Sequence, residues 1–242
     1  MKKNLSRLAL ILALAVALSG CSGKASPAGT ITPAPAAQET TAPAETEAPT
    51  VSLGRMVGGI YENAYVGYGC TLDENWEYYT AEELQDLSDL TQEMLQDDKM
   101  IDNHEEYQYI LDMAAENVTD LTSINIIYNY VDTRSRLSSV FLSQEDYIDL
   151  YLSQKDQLAD NFAQSGITLY SMNKVKVSFL GQEHWAAHCE ASYTSNGVDV
   201  PYYLIQLFDT KPGGRYLVTL TLASYMEDNT ESLLDLFYPI SE

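Results

Sequence analysis

Four strand-like runs joined by glycine-containing turns fill the C-terminal part of the chain and constrain its fold more than any other feature. Each run alternates apolar and polar residues or is wholly apolar, over a length typical of a β-strand. The turns contain Gly181, the pair Asn196-Gly197 and the run Pro212-Gly213-Gly214. Because Asn-Gly is a strong hairpin signal, we expect consecutive runs to be antiparallel neighbours. The four runs are Val175–Leu180, Trp185–Tyr193, Pro201–Phe208 and Tyr216–Leu222.

Two further hairpins are predicted before this meander. The first joins Arg55–Tyr61 to Tyr65–Leu72 around a turn at Glu62-Asn63, and both runs are rich in tyrosine and glycine. The second joins Tyr107–Ala115 to Leu121–Val131 through a short polar link. Both pairs show the alternation of half-buried strands.

Three helices are predicted between and after the strands. Thr80 and Glu83 have the spacing of a capping box, which predicts a helix over Ala81–Gln96. A second helix should begin at Ser143 by the same logic, and a short third helix should follow Asp228. The sequence therefore predicts an α+β fold, in which helices pack on the faces of an antiparallel β-sheet.

The N-terminus has the pattern of a lipoprotein signal peptide. Three basic residues and no acidic residue precede the eleven apolar residues Leu8–Leu18. A helix of that length is about 16 Å long, about half of the hydrocarbon thickness of a bilayer. The sequence Leu18-Ser19-Gly20-Cys21 then matches the lipobox. We expect residues 1–20 to be removed and Cys21 to carry the lipid on the outer face of the cell membrane; the alternative is a plain secreted protein.

Residues 21–50 have the composition of a disordered linker. Ala, Pro and Thr dominate this segment and no aromatic residue occurs in it, so it has too little apolar surface to fold. Fully extended, it would reach roughly 90 Å, a length that suits the thick wall of a Gram-positive bacterium. Residues 51–242 are expected to form one α+β domain.

The strong negative charge excludes one class of partner. The formal net charge is −22, with 35 acidic and 13 basic residues, whereas nucleic-acid binding needs clustered Lys and Arg. Thirteen acidic residues lie between Asp73 and Glu106, but none of them forms the Asp- and Gly-containing pattern of a calcium loop. We therefore predict no metal site and no cofactor, and keep weak cation capture as an alternative function.

Short motifs of turn and aromatic residues near the start of the domain resemble those of a known fold family. They are Gly59-Ile60-Tyr61-Glu62-Asn63-Ala64-Tyr65, the following Val66-Gly67-Tyr68-Gly69, and Asp73-Glu74-Asn75-Trp76. Together with the element order over Gly54 to Tyr238, they look similar to the Mog1/PsbP-like fold and to Gram-positive lipoproteins of that shape. The resemblance implies a scaffold that serves as a protein-binding or assembly subunit, without a shared active site.

The histidines and cysteines give only weak evidence for a metal site or a disulfide. His184 and His188 fall on a predicted strand, where about 13 Å separates their side chains, too far for one zinc ion. The strand pattern predicts that both face outward while Cys189 and its alternate neighbours face the core. Cys70 and Cys189 are both expected to be buried, either as a disulfide or as two free thiols.

The tyrosines suggest a recognition surface. The chain has 18 tyrosines and only 5 phenylalanines, and tyrosine offers a flat, amphipathic surface to sugars or protein partners. An alternative is that tyrosine simply suits half-buried strands. The residues of the predicted surface are Tyr61, Tyr65, Tyr68, Tyr78 and Tyr79.

These observations favour a membrane-anchored binding or assembly module that is not an enzyme. Its membrane contact is the lipid on Cys21, and its ligand would be a protein or a small molecule. The first alternative is a cation-binding acidic surface. The second is a hydrolase, which a cleft holding His184 or His188 together with carboxylates would favour.

Overall fold

The computed structural model describes residues 51–88, 109–130, 143–164, 166–195, 197–210 and 216–240. These residues form eleven strands: β1 (Arg55–Val57), β2 (Ile60–Asn63), β3 (Tyr68–Thr71), β4 (Trp76–Tyr78), β5 (Tyr109–Asn117), β6 (Thr122–Tyr130), β7 (Ile167–Phe179), β8 (Gln182–Ser195), β9 (Val198–Thr210), β10 (Tyr216–Tyr225) and β11 (Phe237–Pro239). The described helices are α1 (Ala81–Asp86), α2 (Gln144–Ser153), α3 (Lys155–Gln164) and a 3₁₀ helix (Glu231–Leu236). Predictions for residues 1–50, including the signal peptide, Cys21 and the linker, lie outside the described residues.

The strands form two antiparallel sheets. The large sheet has the order β4-β5-β6-β10-β9-β8-β7, and the small sheet has the order β1-β2-β3-β11. Strand β11 completes the small sheet by pairing with β3, with Phe237 opposite Cys70. The fold is therefore α+β and mostly antiparallel, as the sequence predicts.

The large sheet lies between two layers. One face packs against the small sheet and the 3₁₀ helix, through residues such as Ile126 and Leu220 on the large sheet and Tyr68 on the small one. The other face packs against α2 and α3 through residues such as Leu204 and Phe162. Apolar residues recur on both faces of the central strands, because both faces are covered.

The predicted meander is confirmed, with strands longer than expected. Strands β7 to β10 follow each other as antiparallel neighbours. The predicted turn at Glu62-Asn63 is wrong, because both residues belong to β2 and pair with Gly69 and Tyr68 of β3. The turn comes after them, where the Gly67 N–H donates to the Asn63 carbonyl at 2.9 Å.

The predicted helix caps are confirmed, while the helix lengths differ. Thr80 caps α1 and Ser143 caps α2, each in a reciprocal capping box. Helix α1 ends at Asp86, and the rest of the helix predicted to Gln96 lies mainly outside the described residues. The second predicted helix is split in two at Gln154, and the third is the 3₁₀ helix.

Across the described segments, none of the helices combines the length and the apolar character that crossing a membrane requires.

Candidate functional site: a cleft where two strands separate

Strands β8 and β9 pair along most of their length and then separate at one end. Their register begins with Ala187 opposite Gln206. Beyond that point, residues 182–186 of β8 pair with β7, and residues 207–210 of β9 pair with β10. The large sheet therefore has a fork at this end, where backbone groups of the two strands no longer bond to each other.

The side chain of Gln144 bridges the fork. Its Oε1 accepts a hydrogen bond from the Trp185 N–H at 3.1 Å, and its Nε2 donates to the Phe208 carbonyl at 3.3 Å. Gln144 is the first residue of α2, so the helix that covers this face also supplies the bridge. Buried backbone groups need such partners, and the Gln144 amide bonds to both the donor and the acceptor of one missing ladder bond.

A cleft of about 500 Å³ opens beside the fork, with walls from both sheets and from α2. Aromatic rings of Tyr68, Tyr147, Phe179 and Phe208 line it. The polar side chains of Gln144, Gln182, His184 and Asp209 also line it. A concave, aromatic space with a few convergent polar groups has the features of a small-molecule site. We call it the fork cleft.

The hydrogen bonds of Gln144 indicate whether the nearby His184 Nδ1 donates or accepts. The two backbone partners of Gln144 determine which end of its amide is nitrogen, and that nitrogen lies 3.5 Å from His184 Nδ1. In this contact Nδ1 can only accept, which assigns the proton of neutral His184 to Nε2. The His184 ring also makes an edge-to-face contact with Phe179, with 5.7 Å between the ring centroids.

The two histidines of β8 are not the outward-facing residues predicted from the sequence. They share the face of Ala186, which packs toward the small sheet, and both are half-buried. His188 Nε2 lies 2.8 Å from Asp228 Oδ2. Burial acts to raise the pKa of Asp228, but hydrogen bonds from Thr230 and the nearby His188 outweigh burial and lower it. The structure thus places His184 in the fork cleft and His188 in a separate pair.

The predicted tyrosine surface does not exist as an exposed patch. Tyr61, Tyr65 and Tyr68 are buried, and Tyr78 and Tyr79 are half-buried. Tyr61, Tyr65 and Tyr68 instead pack in the core between the two sheets. This outcome follows the alternative interpretation, in which tyrosine suits half-buried strands. The hydroxyls of Tyr61 and Tyr79 bond to polar side chains.

One of those polar partners is Asp112, which sequence analysis missed. Its carboxylate accepts hydrogen bonds from the Gly54 N–H at 2.7 Å, the Tyr61 hydroxyl at 2.6 Å and the Asn63 amide at 2.6 Å. Burial raises the pKa of Asp112, and these hydrogen bonds offset only part of that effect. All three donors belong to the N-terminal residues of the domain, so Asp112 joins the small sheet to the large one.

A β-bulge lies at Asp112. The register of β5 with β6 shifts between Leu111 and Met113, which leaves Asp112 as the extra residue. A bulge breaks the alternation of faces, so the consecutive residues Asp112 and Met113 both face the small sheet, while Leu111 packs toward α1. The sequence Leu111-Asp112-Met113 gives no local sign of this change.

The two cysteines are free thiols on opposite sides of the large sheet. Cys70 belongs to the core shared with the small sheet, and Cys189 belongs to the core shared with α2 and α3. The structure therefore favours the second of the two alternatives, free buried thiols, over the Cys70–Cys189 disulfide. Burial raises the pKa of each thiol to about 12, so both remain protonated and poorly nucleophilic at neutral pH.

The acidic run from Asp73 to Glu106 is described only up to Ser88 and for no residue between 89 and 106. Within the described ranges, no three His, Cys, Asp or Glu side chains come together in a group that could hold a metal ion. Cation capture therefore stays a prediction from composition.

Comparison with known proteins gives no assignment to a family. No family model matches the chain. No curated protein matches it either. Among solved structures, LpqN, described as involved in cell envelope biogenesis of Mycobacterium tuberculosis, gives a TM-score of 0.36 at 8% sequence identity. That match covers 72% of this chain and 83% of LpqN. A likeness at this level carries no argument, and the Mog1/PsbP-like resemblance stays a prediction.

Proposed function

We propose that this chain is a lipid-anchored protein of the bacterial cell envelope whose domain binds a small amphipathic ligand in the fork cleft. The cleft carries the proposal, because aromatic walls and polar groups converge on one space of about 500 Å³. The lipobox and the linker supply the location, since they would hold the domain outside the membrane.

The lining favours an uncharged ligand with a flat apolar face and several hydroxyl or amide groups, as in a sugar. Rings such as Phe179 and Phe208 can stack on an apolar face. The amide of Gln182 can both donate and accept hydrogen bonds, and Asp209 can accept. These groups suit a saccharide better than a lipid chain, which has no polar atoms to bond to them.

The binding test uses the two histidines of β8 as a matched pair. We expect His184→Ala to weaken binding of N-acetylglucosamine oligosaccharides about tenfold, because the variant removes one wall of the cleft and a hydrogen-bonding group. His188→Ala makes the same chemical change outside the cleft and should leave affinity unchanged. Saturation-transfer NMR and calorimetry measure both. No oligosaccharide binding to wild type, or equal binding by both variants, would contradict the proposal.

The anchor is tested by replacing the lipidated residue. We expect Cys21→Ala to move the protein from the membrane fraction to the soluble fraction and to abolish labelling by radioactive palmitate. Two acyl chains give stable attachment, whereas the unlipidated chain has none. Ser22→Ala, at the adjacent position, should behave as wild type. Membrane retention of the Cys21→Ala protein after a carbonate wash would show that something other than this lipid holds it.

One observation favours the hydrolase alternative, because His184 and Asp209 both line the fork cleft. Among the described lining residues, however, the serine is Ser143, whose hydroxyl caps α2 by accepting from the Asp146 N–H and donating to the Asp146 carboxylate. We therefore favour binding without catalysis, and release of a coloured product from nitrophenyl esters or glycosides would decide against this choice.

A further inference from the structure

A second cleft, of about 520 Å³, lies at the opposite end of the large sheet from the fork. It forms where the β5–β6 turn meets the end of β10. Two backbone hydrogen bonds fix this junction, from the Tyr225 N–H to the Leu121 carbonyl at 3.1 Å and from the Met226 N–H to the Pro201 carbonyl at 3.0 Å. We call it the acidic cleft, for the side chains of Asp73, Asp120 and Glu227 that line it.

Two apolar residues of this cleft adopt a backbone conformation that suits glycine. Leu121 has φ of 54° and Met226 has φ of 71°. The left-handed conformation costs a bulky residue roughly 1–2 kcal/mol, and glycine would avoid that cost. Their side chains gain little from packing in return, since Leu121 is 46% exposed and Met226 is 60% exposed.

Folding alone therefore does not explain why large apolar side chains stand at these two positions. Contact with another molecule does explain them. Binding would bury both side chains and so gain the hydrophobic free energy that folding alone does not provide. The indole of Trp76 also lines the cleft and extends its apolar floor.

The charge around the apolar residues defines the partner. The described lining includes three carboxylates and neither Lys nor Arg. A basic partner would complement the negative charge of these carboxylates, whereas an anionic or neutral partner would not. The combination of an apolar floor and an acidic rim fits a segment that carries apolar side chains beside Lys or Arg, as an amphipathic helix does.

We propose that the acidic cleft docks a basic amphipathic segment of a partner protein. Apolar side chains of that segment contact Leu121 and Met226, while its basic side chains face Asp73, Asp120 and Glu227. This interaction is separate from ligand binding in the fork cleft, and the two sites occupy opposite ends of the same sheet.

The test measures binding of a synthetic helical peptide made of leucine and lysine to the full chain. We expect binding that weakens as salt is raised, because the rim charges are exposed. Leu121→Gly and Met226→Gly should each weaken binding about tenfold, the loss expected for one apolar contact. Both variants should keep or raise the melting temperature, because glycine adopts the left-handed conformation without strain. Leu121→Asn and Met226→Asn provide second versions of the same test.

Three controls separate docking from general attraction to an acidic protein. Leu180→Gly makes the same change at a third left-handed residue, which lines the fork cleft, and should leave peptide affinity unchanged. Glu227→Gln should weaken binding and reduce its salt dependence, whereas Glu183→Gln, at the other end of the sheet, should not. A peptide of leucine and glutamate should not bind.

Three results would overturn the proposal. The first is absence of binding by the leucine–lysine peptide at 0.15 M salt, a concentration that leaves close charge pairs effective. The second is equal affinity for wild type, Leu121→Gly and Met226→Gly. The third is equal weakening by Glu227→Gln and Glu183→Gln, which would show attraction to net charge only. None of these results bears on sugar binding in the fork cleft.

Discussion

Replacing Asp112 by leucine is expected to lower the free energy of unfolding by about 3–5 kcal/mol, because it removes the acceptor that three donors share at the junction of the two sheets. Those donors are the Gly54 N–H, the Tyr61 hydroxyl and the Asn63 amide. Leucine has a similar shape, so the loss reports the hydrogen bonds rather than a cavity. Urea denaturation of wild type and variant measures the change. Asp235→Leu, on the exposed side of the 3₁₀ helix, should change stability by less than about 0.5 kcal/mol.

The pH dependence of stability gives an independent check on Asp112. Its pKa is raised in the fold, so the folded state binds a proton more tightly than the unfolded state does. The contribution of Asp112 to stability is therefore greatest at and below its ordinary value of 3.8 and falls as the pH rises through the raised folded value. Asp112→Asn lacks this titration, so its stability relative to wild type should improve as the pH rises from about 4. A constant difference across that range would show that the carboxylate is not shifted.

The second large effect is expected at Gly54, where alanine should cost about 3 kcal/mol. A Cβ atom there would overlap the ring of Tyr61, with Tyr61 Cζ only 2.6 Å away. The ring cannot move aside, because Tyr61 is 1% exposed and its hydroxyl is bonded to Asp112. Overpacking of this kind forces shifts in side chains and backbone. Thermal unfolding monitored by circular dichroism measures the loss.

A double-mutant cycle identifies the ring as the cause. In a Tyr61→Leu background the overlapping atoms are gone, so Gly54→Ala should cost less than about 1 kcal/mol there. Gly59→Ala is the control for alanine at a glycine, since its Cβ would have open space around it. Its φ of 81° predicts a cost from backbone strain alone. Additive effects of Gly54→Ala and Tyr61→Leu would contradict the steric explanation.

The α+β class, the meander and the two helix caps could be predicted from sequence, since each depends on neighbours in the chain. Alternation over Trp185–Tyr193 and the capping box at Thr80 are local patterns. The fork could not be predicted, because it depends on where β8 and β9 stop pairing, beyond Ala187 and Gln206, and no residue in either strand marks that point. Gln144 looks like an ordinary first residue of a helix.

The tyrosine surface failed as a prediction for a related reason. Composition shows that tyrosines are frequent, but exposure depends on what covers each strand. Tyr68 of the small sheet is buried because its ring packs edge-to-face on Phe179 of the large sheet at 5.4 Å and on Phe237 of β11 at 5.7 Å. Contacts between residues so distant in sequence leave no local signal, and the bulge at Asp112 leaves none either.

Closure of the small sheet by β11 also determines when the domain can finish folding. Strands β2 and β3 pair with each other early in the chain, yet Cys70 and Gly69 find their other neighbours only in Phe237 and Tyr238. A chain that leaves a ribosome or a translocation channel N-terminus first therefore cannot complete this sheet until residues 237–239 emerge. The early strands should wait in an unfinished sheet for most of that time, and native pairing of β3 should be among the last steps of folding.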